Sequence, residues 1–440
     1  IMGGTEEQKE KWLGQIAEEG SIVAYAVTEP EAGSNLANLK TKAVPITDDS
    51  GEIVEWEITG NKQFISNGGF ADFMTVLADA PEGPTFFVVE KDTPGFKPGK
   101  HEEKHGIRAS NTSPLVFDKV RVPAANLIGE KPGEGLKQAN AVFGYTRLMV
   151  AAFGLGAGIE ALERAIKYAR ERIQFGSPLM DKPGYTHKLI VPNWINLEAS
   201  RAYIEEISTL IDNGLEENEV EGSIAKYFAT EAGNQAAEQA IQAFGGYGYM
   251  KEYEIEKIKR DVRITTIYEG TSEIQQMIIG TFRWRSTVRS KGKFYQELAD
   301  KLTEIQAEKA DLGADTMADA VNIVNTMIQK MHKARKMKHQ HVLFILSDMI
   351  TRIEIGASLV KKAATPEKEG SRSARRVALC SRLFAREVMD FIRQSTEFLV
   401  LGTGAFDSEA GQDLLNELPL NTTSNKVNSL QDMDELVTLL

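Results

Sequence analysis

The sequence predicts an α+β protein: an antiparallel β-domain, then a four-helix bundle, then a further C-terminal helical domain. Two changes of apolar period carry that expectation. Between residues 21 and 123 apolar residues come in short alternating runs, whereas from 134 onward they recur every three or four residues. After 290 the helical period continues with more Lys and Arg in places.

Residues 1–20, IMGGTEEQKEKWLGQIAEEG, read as the tail of an N-terminal helical domain, most of which we expect to be missing. Residues 21–125 form the expected β-domain. SIVAYAVTEP, KTKAVPIT, EIVEWEITG, KQFISNGG, DFMTVLADA, PTFFVVEKD and SPLVFDKVRVP are β-branched or aromatic, and Gly, Pro, Asn and Asp separate them. Residues 126–290 read as the bundle. Its first helix carries Leu148, Ala152, Leu155, Ile159, Leu162, Ile166, Ala169 and Ile173 as a stripe, and further helices are expected at 184–213, 217–243 and 272–290, broken by FGGYGYM and IYEGT. Residues 291–440 form the helical extension. In it SRSARRVALCSRLFAREVMDFIR turns Val377, Cys380, Leu383 and Phe384 inward, and the polar run LNTTSNKVNSLQ frays.

Composition narrows the function. The chain has 440 residues, 26% charged and 42% apolar, which suits two or three globular domains. Its formal charge of −12 argues against a nucleic-acid partner, because phosphate binding needs a basic face. The single Cys380 excludes an internal disulfide framework and makes a reducing compartment the simpler expectation. No run of about 18 apolar residues and no signal peptide stand out, so no membrane-spanning helix is expected.

Each motif has a plain structural reading. YAVTEPEAGSN (25–35) ends a strand in a turn whose N–H groups and hydroxyls suit an anionic or polar ligand, but most such turns only turn. FISNGG (64–69) needs Ser66 and Asn67 for nothing more than ending a strand. ARERIQFG (169–176) sets Arg170 and Arg172 at a helix C-terminus, which the macrodipole favours without a ligand. IQAFGGYGYM (241–250) has a Gly-Gly pair suited to a helix C-cap, and it is no dinucleotide fingerprint because it follows a helix. In TTIYEGTSEIQQ (265–276), Glu269 stands between an aromatic residue and a glycine at a break between helices. Taken alone it suits a helix-start carboxylate and a catalytic carboxylate equally.

In combination the motifs are more specific. The order TEPEAGS, FISNGG, GIRASNTSPLVFDKVRVP, RERIQFG, FGGYGY and IYEGT, over residues 1–280, resembles the acyl-CoA dehydrogenase family, and the helices after 290 resemble its very-long-chain branch. The resemblance implies that FAD is held between the β-domain and the four-helix domain. Tyr25, Val27, Thr28, Gly33 and Ser34 would line its ring and pyrophosphate, and Phe64 and Ser66 would stack on the ring and hydrogen-bond near N5. Arg172, Gln174 and Phe175, with Gln242, Gly245 and Gly246, would reach the FAD of a neighbouring subunit, which implies a homodimer. Thr271 and Glu273 complete the implied cofactor set. Ser34, Arg147 and Gly270 are the implied substrate contacts, with Gly144 where some branches carry an acid.

Removing hydrogens from Cα and Cβ of an acyl thioester needs a base at one carbon and a hydride acceptor at the other. Glu269 fits the base. Tyr268 walls it, Gly270 lets the backbone approach a ligand, and Ser272 with Gln275 reads as a capping box for the next helix. No His, Cys and carboxylate spacing suggests a metal: His101 and His105 read as surface residues and His187 as a helix residue. RWR at 283–285 reads as an exposed helix end, although it could pair with later acids. KMHKARKMKHQH (330–341) continues a helix striped by Val324, Met327, Met331, Ala334 and Met337. A solvated face is the plainer reading, and peripheral contact with an anionic membrane the bolder.

The leading expectation is therefore FAD-dependent dehydrogenation of acyl-CoA to trans-2-enoyl-CoA in fatty-acid β-oxidation, with electron-transfer flavoprotein as acceptor. An acyl-CoA oxidase is the alternative within the enzyme class, and an assembly or scaffold protein derived from the family is the alternative outside it. The expected location is the bacterial cytoplasm, free or peripheral to the inner membrane, or the mitochondrial matrix in a eukaryote.

Overall fold

The structure, a computed structural model, describes residues 2–215, 218–365, 372–420 and 428–440, so most of the LNTTSNKVNSLQ run lies outside the described residues. The chain divides into two compact units, residues 1–143 and 144–440.

The first unit opens on helix α1 (Glu6–Glu19), started by a reciprocal cap in which Thr5 and Gln8 each bond the other's backbone N–H and ended by Gly20 at φ 70°. Its Trp12 packs on Phe73 with ring centroids 5.0 Å apart. Seven strands follow: β1 (Val23–Ala26), β2 (Lys42–Thr47), β3 (Ile53–Ser66), β4 (Phe73–Ala80), β5 (Gly83–Glu90), β6 (Phe96–Pro98) and β7 (Thr112–Pro123). They form one sheet in the order β1-β4-β2-β3-β7-β6, with β5 also paired to β4. The sheet is mostly antiparallel, as expected, but β1 and β2 both run parallel to β4. Side chains alternate across it. Met74, Val76 and Ala78 join Trp56, Ile58 and Phe87 in one apolar cluster, while Leu77 belongs to a second with Val27, Ala32 and Phe86.

The second unit is helical: α2 (Gly135–Glu171) leads into it from the first, and α3 (Pro183–Leu189), α4 (Val191–Asp212), α5 (Glu219–Phe244), α6 (Ile255–Val262) and α7 (Ser272–Arg289) follow. The helix expected over 184–213 is two, α3 and α4, meeting at Ile190 just before Pro192. In α2, Leu155, Leu162, Ile166 and Ala169 are buried as expected, but Ala152 is exposed, and Ile173 lies beyond the helix in a two-residue strand and is exposed. The inward row instead runs through Gly154 and Gly158. A Cβ on Gly233 of α5 would lie 2.0 Å from the carbonyl oxygen of Gly154, so the two helices cross backbone to backbone only with glycine there. By length and composition alone, α2 contains an 18-residue window apolar enough to cross a membrane, at mean hydropathy 1.4, which the sequence reading does not single out. Of that window 39% is buried.

Helices α8 (Lys293–Glu308), α9 (Ala314–Lys333), α10 (Gln340–Ala364), α11 (Arg372–Leu401), α12 (Ser408–Glu417) and α13 (Ser429–Leu439) continue the same apolar core, with Phe228 of α5 edge-on to Phe384 of α11 at 5.8 Å. Val377, Cys380, Leu383 and Phe384 all face inward. Burial pushes the Cys380 thiol far above its ordinary range.

Two readings of this region are corrected. RWR is no plain exposed helix end: Arg285 is exposed, but Arg283 is buried and pairs with Glu354, an acid after the bundle, and with Glu221. The basic run is not one continuous helix either. α9 stops at Lys333, Arg335 takes φ 57°, and α10 starts at Gln340. Val324, Met327, Met331 and Met337 are buried in the core, which removes the free apolar face that docking on a membrane would need.

Candidate functional site

In the first unit, a bulge in β3 between Lys62 and Ile65 turns Phe64 out of the sheet at φ 60°, where it is 64% exposed. The Gln63 N–H donates to Thr28 O at 2.9 Å, which sets Thr28 beside this bulge. Gly33, Ser34 and Ser66 are exposed, as a ligand-facing role requires. Val27 is different: its side chain is buried in the apolar cluster with Ala32 and Phe86, so only its backbone is available. Tyr25 also turns inward and stacks on Phe86 at 5.5 Å.

What holds this turn was not anticipated from the sequence. Glu29, inside TEPEAGS, is buried and accepts from Lys62 Nζ at 2.7 Å and from the Lys40 and Thr41 N–H groups at 2.6 and 3.1 Å. Although burial opposes it, these donors hold the Glu29 carboxyl below its usual range. For Lys62 burial dominates and lowers the ammonium to about 8. The pair anchors the strand end that presents Thr28, Gly33 and Ser34.

In the second unit Arg172, Gln174, Gln242, Gly245 and Gly246 line one cleft of about 480 Å³, where Tyr168 stacks on Phe244 at 4.4 Å. The Arg172 guanidinium lies 5.7 Å from the centre of the Tyr247 ring. Phe175 does not join them; it sits at a hairpin tip at φ 51° and is 97% exposed.

Glu269 sits on the turn between the last short helix after α6 and the start of α7. It is half-buried at φ 57°, and Gly270 follows at φ 86°. Thr146 of α2 donates its hydroxyl to Glu269 Oε2 at 2.8 Å. Two side chains converge on the Gly270 carbonyl: Lys226 Nζ at 2.5 Å from α5 and Gln275 Nε2 at 2.8 Å from α7. Gln275 also donates to Glu269 O at 3.2 Å. The capping box therefore does not form. Thr271 is the N-cap and makes no side-chain cap, Gln275 points back into the turn, and Ser272 donates to Glu231 at 2.5 Å. Glu273 is exposed; its own N–H and then the Thr271 hydroxyl hold its carboxyl low.

Two buried cations flank this carboxylate. Burial lowers Lys226 to about 8 while Glu269 opposes the shift. Burial likewise lowers Arg147, with Glu219 and then Glu269 opposing. Arg147 is expected to touch substrate, but it is 5% exposed and its guanidinium donates to Glu219 O and Ser223 Oγ, both at 3.3 Å, leaving little surface for a ligand. A side chain at Gly144 would meet Asn218 Oδ1 at 2.2 Å, which explains why no acid stands there.

Gly270→Ala should destabilise the protein by about 1–3 kcal/mol in chemical denaturation, since alanine rarely adopts this backbone conformation. Its Cβ would also stand 2.6 Å from Gln275 Nε2. Unchanged stability would mean that the turn relaxes freely.

Among the described residues no group of three His, Cys or carboxylate side chains could hold a metal. Sequence reasoning missed Thr146, Lys226 and the turn-holding role of Gln275. The one available signal was Lys226 itself, a lone charge among core positions in SIAKYFAT.

Comparison with known proteins accords with this geometry. Residues 24–120 match the acyl-CoA dehydrogenase middle domain and residues 133–282 the acyl-CoA dehydrogenase C-terminal domain. The chain is 42% identical to an acyl-CoA dehydrogenase of Bacillus subtilis over 284 residues, 63% of this chain and 73% of that one. It resembles a crystal structure of acyl-CoA dehydrogenase complexed with FAD from Bacillus anthracis at TM-score 0.87 and 25% identity, covering 100% of this chain and 78% of that one. It also resembles a structure described as the electron transferring flavoprotein of Acidaminococcus fermentans, in work on flavin-based electron bifurcation, at TM-score 0.59 and 36% identity, over 63% and 72% of the two chains.

Proposed function

The chain belongs to the acyl-CoA dehydrogenase family of FAD-dependent enzymes, and we propose that it converts acyl-CoA to trans-2-enoyl-CoA in fatty-acid β-oxidation, with electron-transfer flavoprotein as the electron acceptor. The observation that carries the reading is the Glu269 carboxylate, held on a left-handed turn and hydrogen-bonded by Thr146.

The residues fit the cofactor. No atom lies within 4 Å of where a Cβ would stand on Gly245 or Gly246, so the backbone of the 480 Å³ cleft is open to a phosphate or a flat ring. Arg172 and Gln242 line that cleft. In the first unit the exposed Phe64 ring and the Ser66 hydroxyl suit stacking and hydrogen bonding to a flavin. When bound, FAD supplies the acceptor for the hydride that leaves Cβ.

The protein's own part is the proton. Glu269 takes it from Cα, and the electron pair left behind forms the Cα–Cβ double bond as the hydride departs. Thr146 fixes the orientation of the carboxylate, and the positive charges of Arg147 and Lys226 attract it. The likeness to the Acidaminococcus structure supports a flavoprotein as the redox partner.

The test is anaerobic mixing of the FAD-loaded protein with saturated acyl-CoAs of increasing chain length. Bleaching of the flavin, an enoyl-CoA product, and faster reoxidation by electron-transfer flavoprotein than by oxygen are expected. Rapid reoxidation by oxygen would make it an oxidase, and no bleaching with any chain length would leave the scaffold reading.

A further inference from the structure

We propose that Lys226 is a positioning residue for the dehydrogenation: its ammonium grips the Gly270 carbonyl and thereby fixes where Glu269 presents its carboxylate. The inference rests on the reading of Glu269 as the base.

Lys226 lies on the inward face of α5 among Ile224, Ala225, Phe228 and Ala229, and it is fully buried. An ammonium in such a place is costly, and an apolar side chain would pack there at less expense. Its hydrogen bond, at 2.5 Å, goes to the backbone carbonyl of the residue that follows the base. That carbonyl ends two consecutive left-handed residues, Glu269 at φ 57° and Gly270 at φ 86°, a conformation that persists only where its surroundings impose it. Lys226 pulls on it from α5 and Gln275 from α7, so the turn is pinned between two helices. Thr146 then orients the carboxylate from α2. With either grip loosened, the backbone of Glu269 gains room to relax, and a displacement of about 1 Å at a reacting group costs on the order of a hundredfold in rate. The lowered proton affinity of Lys226 agrees with its burial, but the geometry carries the inference.

The experiment compares Lys226→Met and Lys226→Gln with the parent, all loaded with FAD, in single-turnover flavin reduction by an acyl-CoA. Binding of a non-oxidisable acyl-CoA analogue is followed in parallel by the flavin spectrum. In Lys226→Met the reduction rate should fall about 10–100-fold while analogue affinity stays within about threefold. In Lys226→Gln, which still offers an N–H to the carbonyl, at least half of that loss on a logarithmic scale should be recovered. A parental rate in the Met variant, a Gln variant no better than Met, or a rate loss matched by lost affinity would overturn the proposal. If Lys226→Met sheds its flavin, Lys226→Gln decides alone. A rate about 3–10-fold below the parent with unchanged affinity is then expected, and either a parental rate or a matched loss of affinity overturns it. Glu269→Gln run alongside separates the two ideas. An active Glu269→Gln removes the base assignment itself, whereas an inactive one beside a parental Lys226→Met removes only the role of Lys226.

Discussion

Glu269→Gln leaves a yellow, FAD-loaded protein that binds acyl-CoA but no longer bleaches when a saturated substrate is added. Gln keeps the size of the side chain and can still bond the Thr146 hydroxyl, so the turn and its two carbonyl grips are preserved. What it loses is affinity for a proton. Loss of a positioned general base typically costs about 10²–10⁴ in rate, and more where proton removal is obligatory for the hydride to leave. The measurement is stopped-flow absorbance of the flavin band under anaerobic conditions. If the variant reduces its flavin within about tenfold of the parent rate, Glu269 is a turn residue and the base lies elsewhere. Exchange of the α-hydrogen with solvent deuterium adds a readout that does not depend on the flavin, and the variant should lose it too.

The Glu269 turn was legible in the sequence because its neighbours are local, an aromatic residue, a glycine and a helix start within a few positions, whereas the role of base came from the family resemblance. The supports of the turn were not legible. Thr146 reaches Glu269 across 123 positions and Lys226 reaches Gly270 across 44, and no local pattern records such a meeting. The same holds for Glu29, which reads as one more acid in a polar turn until Lys62, 33 positions on, closes over it. The β-to-α order was legible because the apolar period changes from two to about 3.6. The parallel pairing of β1 and β2 with β4 was not, since strand direction depends on connections rather than on alternation. Gln275 misled for a physical reason. The helix takes Thr271 rather than Ser272 as its N-cap, so Gln275 stands at the fourth helical position, one beyond where a capping-box residue accepts from the N-cap N–H, and its amide instead donates back to the carbonyls of two left-handed residues.

Arg283→Met should lower the stability of the protein by about 3–5 kcal/mol, the usual cost of removing one partner from a buried ion pair. Arg283 of α7 donates to both oxygens of Glu354 on α10, at 2.8 and 2.9 Å, and to Glu221 on α5 at 2.8 Å, while the hydroxyl of Tyr295 on α8 donates to Glu354 at 2.8 Å. Burial works against the guanidinium's charge, and Glu354 overrides it, holding Arg283 well above its ordinary range. Methionine fills much of the same volume, so the loss is electrostatic: two carboxylates remain beside buried tyrosines with no cation. Urea denaturation followed by circular dichroism gives the number, and a loss below about 1 kcal/mol would show that water or relaxation compensates. The double variant Arg283→Met with Glu354→Leu should recover part of the loss, because it removes an orphaned charge as well as its partner. Since α5 carries both Glu221 and Lys226, and α7 both Arg283 and Gln275, this network also fixes the two helices that grip the Gly270 carbonyl. Arg283→Met should therefore slow flavin reduction at temperatures where the protein is still folded, although the guanidinium touches none of the reacting groups.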